Sequence, residues 1–200
     1  MTSLRAVPAP RDQELSRETL EGCRAHDPAA FRCFVLRYQG TVFALVSRIV
    51  GRGVEVQDLA QEVFLRAYRA FPSFDLDGPA RASTWLLTIA VRLALNARKQ
   101  GARANVAPLT DAADVRDSVT PETERARQEL GRAIASAATG LSDDQRAAFV
   151  LTEFHGMSLA DIAAALEIPE GTVKTRLFRA RAHLRQCLAA FRKEEKGEPR

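Results

Sequence analysis

Along most of the chain, apolar residues return at helical spacing. Phe31, Phe34, Val35, Tyr38, Val42, Leu45, Val46 and Ile49 fall on one stripe of a long helix, and Gly51 and Gly53 break it. Val56, Leu59, Ala60, Val63, Phe64, Ala67, Ala70 and Phe71 form the next stripe. FPSFDLDGPARAS is dense in Pro, Gly and Asp and reads as a loop. Ser83 or Thr84 is then placed to cap a helix with the stripe Leu86, Ile89, Ala90, Leu93 and Ala97. Strand-period alternation is scarce. The expectation is an all-α protein.

From residue 101 to 120 the periodicity collapses into a small, polar, net acidic stretch that reads as a linker. Helical spacing then resumes, over 123–138 and 142–154. GMSLADIAAALEIPEGTVKTRLFRARAHL gives a short helix, a tight turn and a longer basic helix. Ser158 caps the first, with Leu159, Ile162, Ala163 and Leu166 inward. Pro169 only suits a helix start, which puts the turn at 167–171. This is helix-turn-helix spacing. The predicted organisation is a disordered tail over 1–14, a helical domain over 15–100, a flexible linker over 101–120, a second small helical domain over 121–190 and a charged tail over 191–200.

The last helix carries the clearest chemistry. Val173, Leu177, Ala180 and Leu184 share one narrow sector, its buried stripe. Lys174, Thr175, Phe178 and Arg179 lie on other faces, towards the N-terminal half that such a unit presents to base edges in the major groove. Lys or Arg can pair with guanine, and Phe can pack on a thymine methyl. Thr172, Arg176, Arg181 and Arg185 flank this set and suit phosphates.

Composition adds bounds. The formal charge of +4 favours a polyanionic partner only weakly. No membrane-length apolar run is evident, and the N-terminal segment lacks the apolar centre of a signal peptide, so a cytoplasmic protein without membrane insertion is expected. Cys23, Cys33 and Cys187 make an odd set, which disfavours structural disulfides. Cys23, His26 and Cys33 do not form a familiar metal pattern and have no evident fourth ligand. No convergent set of acids, histidines or nucleophiles points to an enzyme, and no cofactor or metal is expected.

Two faces of the first block are unusual. On VQDLAQEVFLRAYRAF, Asp58, Gln61, Glu62, Arg66 and Arg69 surround Leu65 on the side away from the core. A polar-rimmed apolar anchor suits a protein interface. On RASTWLLTIAVRLALNARKQ, Thr84, Thr88, Arg92 and Asn96 recur at every fourth position, followed by Arg98 and Lys99 and accompanied by Trp85. Cations beside an aromatic ring suit single-stranded nucleic acid.

These segments together resemble the RNA polymerase sigma factors of the extracytoplasmic-function (ECF) type, within the sigma-70 family. DLAQEVFLRAYRAF and ASTWLLTIAVRLALNARK resemble the family's region 2, and LSDDQRAAFVLTEFHGMSLADIAAALEIPEGTVKTRLFRARAHLR resembles its region 4. The likeness spans about residues 20–188, broken at the linker. It implies that Asp58, Gln61, Glu62 and Leu65 dock on the beta-prime clamp helices of core polymerase, with the beta flap as a further contact. It implies that the loop 74–80, with Phe74, and the next helix, with Trp85, Thr88, Arg92, Asn96 and Lys99, hold the melted minus-ten strand. Arg92 stands where the family often has Asn. Lys174, Thr175, Phe178 and Arg179 would read the minus-thirty-five element as duplex. An anti-sigma protein is an implied partner. The competing reading is a stand-alone helix-turn-helix regulator, dimeric on a palindrome, which would leave the Leu65 face without a partner.

Overall fold

The structure is a computed structural model of the chain and describes residues 14–51, 54–101, 138 and 140–195. Seven α-helices and one 3-10 turn occur among the described residues, with no strand. The first block holds α1 (Arg17–Arg24), α2 (Pro28–Val50), α3 (Val54–Ala70), the turn Phe71–Ser73 and α4 (Ala82–Lys99); the second holds α5 (Asp143–Glu153), α6 (Leu159–Leu166) and α7 (Glu170–Glu195). The linker expected over 101–120 and the helix expected over 123–138 lie almost wholly outside the described residues.

Local chemistry sets the helix ends. Asp27 accepts from the Ala29 and Ala30 amides, and Pro28 opens α2 with its fixed φ and no amide to satisfy. Gly51, at φ 116°, ends it in a conformation that costs other residues a Cβ clash. Ser142 and Gln145 form a reciprocal capping box at the start of α5. Ser158 accepts from Asp161 N and caps α6. The expected cap at Ser83 or Thr84 is not made. Arg81 is the N-cap of α4 without a side-chain bond, and Ser83 Oγ instead donates to Glu14.

Two further boundaries differ from expectation. Glu14, assigned to a disordered tail, accepts from Tyr38 Oη at 3.0 Å as well as from Ser83. α7 continues to Glu195, past the expected domain end at residue 190.

The core of the first block is aromatic. Phe34 lies edge-on to Phe71 at 5.0 Å, Phe71 edge-on to Trp85 at 5.1 Å, and Phe31 edge-on to Tyr68 at 4.9 Å. Each such pair adds about 0.5–1.5 kcal/mol beyond its buried area. α2 is long and apolar enough by length and composition to cross a bilayer, so the expectation of no membrane-length apolar run does not hold on that measure. Its apolar stripe is instead spent inward, with Phe34, Val42, Leu45, Val46 and Ile49 fully buried.

The two blocks pack on one another. α5 lies against α2 and α4, and α6 lies against α4. Buried residues of both blocks, from Phe34 and Leu86 to Leu151, Ile162 and Val173, form one continuous cluster. Arginines line the seam. Arg98 donates to Asp143 Oδ1 at 2.6 Å and to the Ile49 carbonyl at 2.8 Å. Arg146, fully buried, donates to the carbonyls of Arg48 and Ala138. The Arg48 guanidinium sits 4.4 Å from the centre of the Phe154 ring. Burial, helped by the Arg48 charge, pushes His155 down to about 3, and burial beside the Arg98 charge pushes Arg146 down to about 10.

Candidate nucleic-acid interface

α7 keeps the division expected of it. Val173, Leu177, Ala180 and Leu184 are buried, whereas Phe178 is 69% exposed. Lys174, Thr175, Arg179, Arg181 and Arg185 are also exposed, and Thr172 and Arg176 are half-buried. The turn into α7 is tight because Glu167 adopts the left-handed conformation, φ 56°, and closes α6 by donating to the carbonyls of Ala163 and Ala164. Thr175 Oγ1 donates to the Gly171 carbonyl at 2.9 Å, which leaves an acceptor facing outward.

Two cations assigned to phosphate have acidic partners within the protein. Arg181 donates through Nε and Nη2 to Glu153 Oε1 at 2.9 and 2.6 Å, and Arg176 donates to Asp144 Oδ2 at 2.8 Å. The Arg181 pair is half-exposed, at 45% and 31%. A pair that wet contributes about 0–1 kcal/mol, so exchanging it for a phosphate costs little.

On α4, Asn96 and Lys99 are exposed and Thr88 and Trp85 are half-buried. Thr88 Oγ1 donates to the Thr84 carbonyl at 2.9 Å. Phe74 departs from its expected role as an exposed strand contact. It is only 7% exposed and packs 4.9 Å from Trp85 and 5.8 Å from Phe71. Its ring is the floor beneath Trp85, because the loop folds back on the bundle. That loop is held by a residue the sequence pattern did not single out: Arg17 of α1 donates to both Asp77 carboxylate oxygens, at 2.6 and 3.3 Å. The Arg17 hydrogen bond and charge hold the Asp77 carboxyl below the usual range. Periodicity could not show this, since the partners are 60 residues apart.

Arg92 is engaged across the seam. Its Nε donates to the Ala165 carbonyl at 2.8 Å, and its Nη2 donates to the Ala164 carbonyl and pairs with Glu167 Oε1, both at 3.1 Å. A cation there complements the negative end of α6 and satisfies carbonyls that the helix leaves open.

On α3, Leu65 is 50% exposed, with Asp58, Gln61 and Arg66 exposed around it. Glu62 accepts from Arg66 at 2.7 Å across one helical turn. The apolar anchor with a polar rim is therefore present. The three cysteines are dispersed: Cys23 is buried, Cys33 is exposed and Cys187 is half-buried beside His183 at 3.6 Å. Burial pushes the Cys23 thiol up to about 11.

The sequence matches two family descriptions, Sigma-70 region 2 over residues 34–104 and Sigma-70, region 4 over residues 131–184. It is 35% identical over 193 residues to the RNA polymerase sigma-H factor of Pseudomonas aeruginosa, covering 91% of this chain and 98% of that protein. It is 38% identical over 179 residues to the ECF RNA polymerase sigma-E factor of Haemophilus influenzae, covering 85% and 91% respectively. Among solved structures it resembles CnrH, in complex with the cytosolic domain of CnrY, with a TM-score of 0.63, 28% identity and coverage of 87% of this chain and 97% of that one. The fold also resembles that of the sigma factor RpoE of Bartonella quintana, in complex with the anti-sigma factor NepR, with a TM-score of 0.56, 23% identity and coverage of 80% and 96%. A helix-turn-helix with a basic outer face, preceded by a bundle matching region 2, accords with these likenesses, and the chain belongs to the ECF group of the sigma-70 family of RNA polymerase sigma factors.

Proposed function

We propose that this sigma factor divides promoter recognition and polymerase docking among three faces. The outer face of α7 reads the minus-thirty-five element as duplex, with Lys174, Thr175, Phe178 and Arg179 towards base edges. Thr172, Arg176, Arg181 and Arg185 take phosphates. The α4 face, through Trp85, Thr88, Arg92, Asn96 and Lys99, holds the melted minus-ten strand, and Phe74 supports Trp85 from below. Asp58, Gln61, Glu62 and Leu65 dock on the clamp helices of core polymerase, and the second block meets the beta flap. The protein acts in the cytoplasm and performs no bond chemistry of its own. A partner anti-sigma protein holds it inactive by covering these faces.

The observation that carries the reading is Phe178, an aromatic ring 69% exposed among cations over a buried stripe. Leu65 supplies a separate support. The test is transcription by core polymerase from a promoter pool. The parent chain should select a subset of fragments. Phe178→Ala should relax or lose preference at one upstream position, with polymerase affinity unchanged. Leu65→Asp should lose polymerase binding while melting at the same temperature. Unaltered promoter selection by Phe178→Ala would remove α7 from base reading, and unchanged polymerase affinity of Leu65→Asp would remove α3 from docking.

A further inference from the structure

The 74–80 loop is assigned to the melted strand, yet little of its own backbone holds it. Among the described residues, no backbone hydrogen bond ties residues 75–80 to the bundle. Inside the loop, the Asp77 amide donates to Asp75 Oδ1 at 3.0 Å, an Asx turn. Gly78 keeps that turn clear, since a Cβ there would lie 2.9 Å from Asp75 Oδ2. The turn shapes the tip of the loop without fixing where it points.

α1 supplies the fixing. Arg17 is its first residue, and Nη1 and Nη2 donate to the two Asp77 carboxylate oxygens at 2.6 and 3.3 Å. Arg17 Nε donates to Glu21 Oε1 at 2.9 Å, so the guanidinium is oriented from within its own helix. α1 is itself closely packed: Cys23 is buried, and a Cβ on Gly22 would lie 2.7 Å from the Ala30 Cβ of α2. Glu14, just before α1, accepts from Ser83 at the start of α4 and from Tyr38 of α2. One short segment thus grips the middle of the loop and the helix that follows it.

We propose that Arg17 is a positioning residue for strand selection: through Asp77 it holds the 74–80 loop in one arrangement, so that the melted strand meets a surface already formed. This rests on the reading of that loop and α4 as the strand-holding face. The physical gain is pre-organisation. A loop ordered beforehand loses less conformational entropy on binding, and a base that does not fit the held shape must disturb it. The pair is exposed, so it adds little to the stability of the fold, and its effect belongs to recognition.

The test is transcription by the reconstituted holoenzyme, core polymerase with the full chain, from fragments randomised across the minus-ten element beside a fixed minus-thirty-five element. Arg17→Ala should flatten base preference at particular minus-ten positions by about two- to fivefold, the scale that an exposed pair supplies. Asp77→Ala should flatten the same positions, and the double variant should match either single one, because all three remove the same bond. Unchanged preference in Arg17→Ala overturns the inference. So does a loss in Arg17→Ala that is uniform over all fragments, which marks a residue needed for folding or for phosphate. A flattening confined to Asp77→Ala, or a double variant with the summed effect, makes Asp77 a base contact in its own right and likewise overturns it. Asn96→Ala and Lys99→Ala separate the two levels, because both residues lie on α4 and neither bonds Arg17 or Asp77. If they lower strand opening, read as permanganate reactivity of unpaired thymines, while Arg17→Ala leaves preference intact, the inference falls and the strand-holding reading stands. If they leave strand opening and base preference unchanged, that reading falls and takes the inference with it.

Discussion

Two phenylalanines of this chain sit in opposite environments, and their removal should have opposite effects. Phe178 is 69% exposed and Phe74 is 7% exposed. Phe178→Ala should change stability by no more than about 0.5 kcal/mol. Phe74→Ala should cost about 3 kcal/mol, because it opens a cavity beneath Trp85 that the bundle cannot fully refill. Thermal denaturation of the two variants side by side checks both. Helical spacing alone was enough to place Phe178 outside, because it lies on a regular helix whose buried stripe is unambiguous. Phe74 lies in a loop, where no period applies. Its burial follows from the way the chain folds back after Phe71–Ser73. Arg92 shows the same limit. Its position on the outer α4 face was legible, but its bonds to Ala164 and Ala165 reach across 72 and 73 residues.

At the scale of elements, α5 is the most informative. Its first turn does two things at once. Ser142 and Gln145 satisfy free amides in a capping box, and Asp143 holds Arg98 of α4 at 2.6 Å. Ser142→Ala should destabilise the protein by about 1 kcal/mol, read as a lower denaturation midpoint in urea. Ser83→Ala should not act as a lost cap, since the Ser83 hydroxyl serves Glu14 instead. The periods that marked α2, α3, α4, α6 and α7 were legible because each element buries one continuous stripe. The cap was legible where Ser directly precedes that stripe, as at Ser158. At α4 the residue in the cap position is Arg81, which has no short oxygen to offer, so the pattern misplaced the start.

At the scale of the whole molecule, the seam between the blocks was not legible. An acidic linker fits both a packed and an open arrangement, and the arginines on either side look like ordinary surface cations in sequence. Packing changes their chemistry. His155 is held neutral down to about pH 3, whereas the unfolded chain takes up a proton below its ordinary value of 6.5. Its contribution to stability is thus complete above about pH 6.5. It is lost as the pH falls from there towards about 3. His155→Gln should flatten that part of the stability curve, measured by urea denaturation between about pH 7 and pH 4.

The core shared by the two blocks also has a calorimetric consequence. Ile162 and Ala165 of α6 are buried in the same cluster as Leu87 and Val91 of α4. If polymerase holds the two blocks apart, part of that cluster must first be wetted. Wetting apolar surface raises heat capacity, and burying it lowers heat capacity. The heat-capacity change of association should therefore be less negative than the area of the docking faces alone would give. Titration calorimetry with core polymerase at several temperatures would then read the extent of the hidden surface directly.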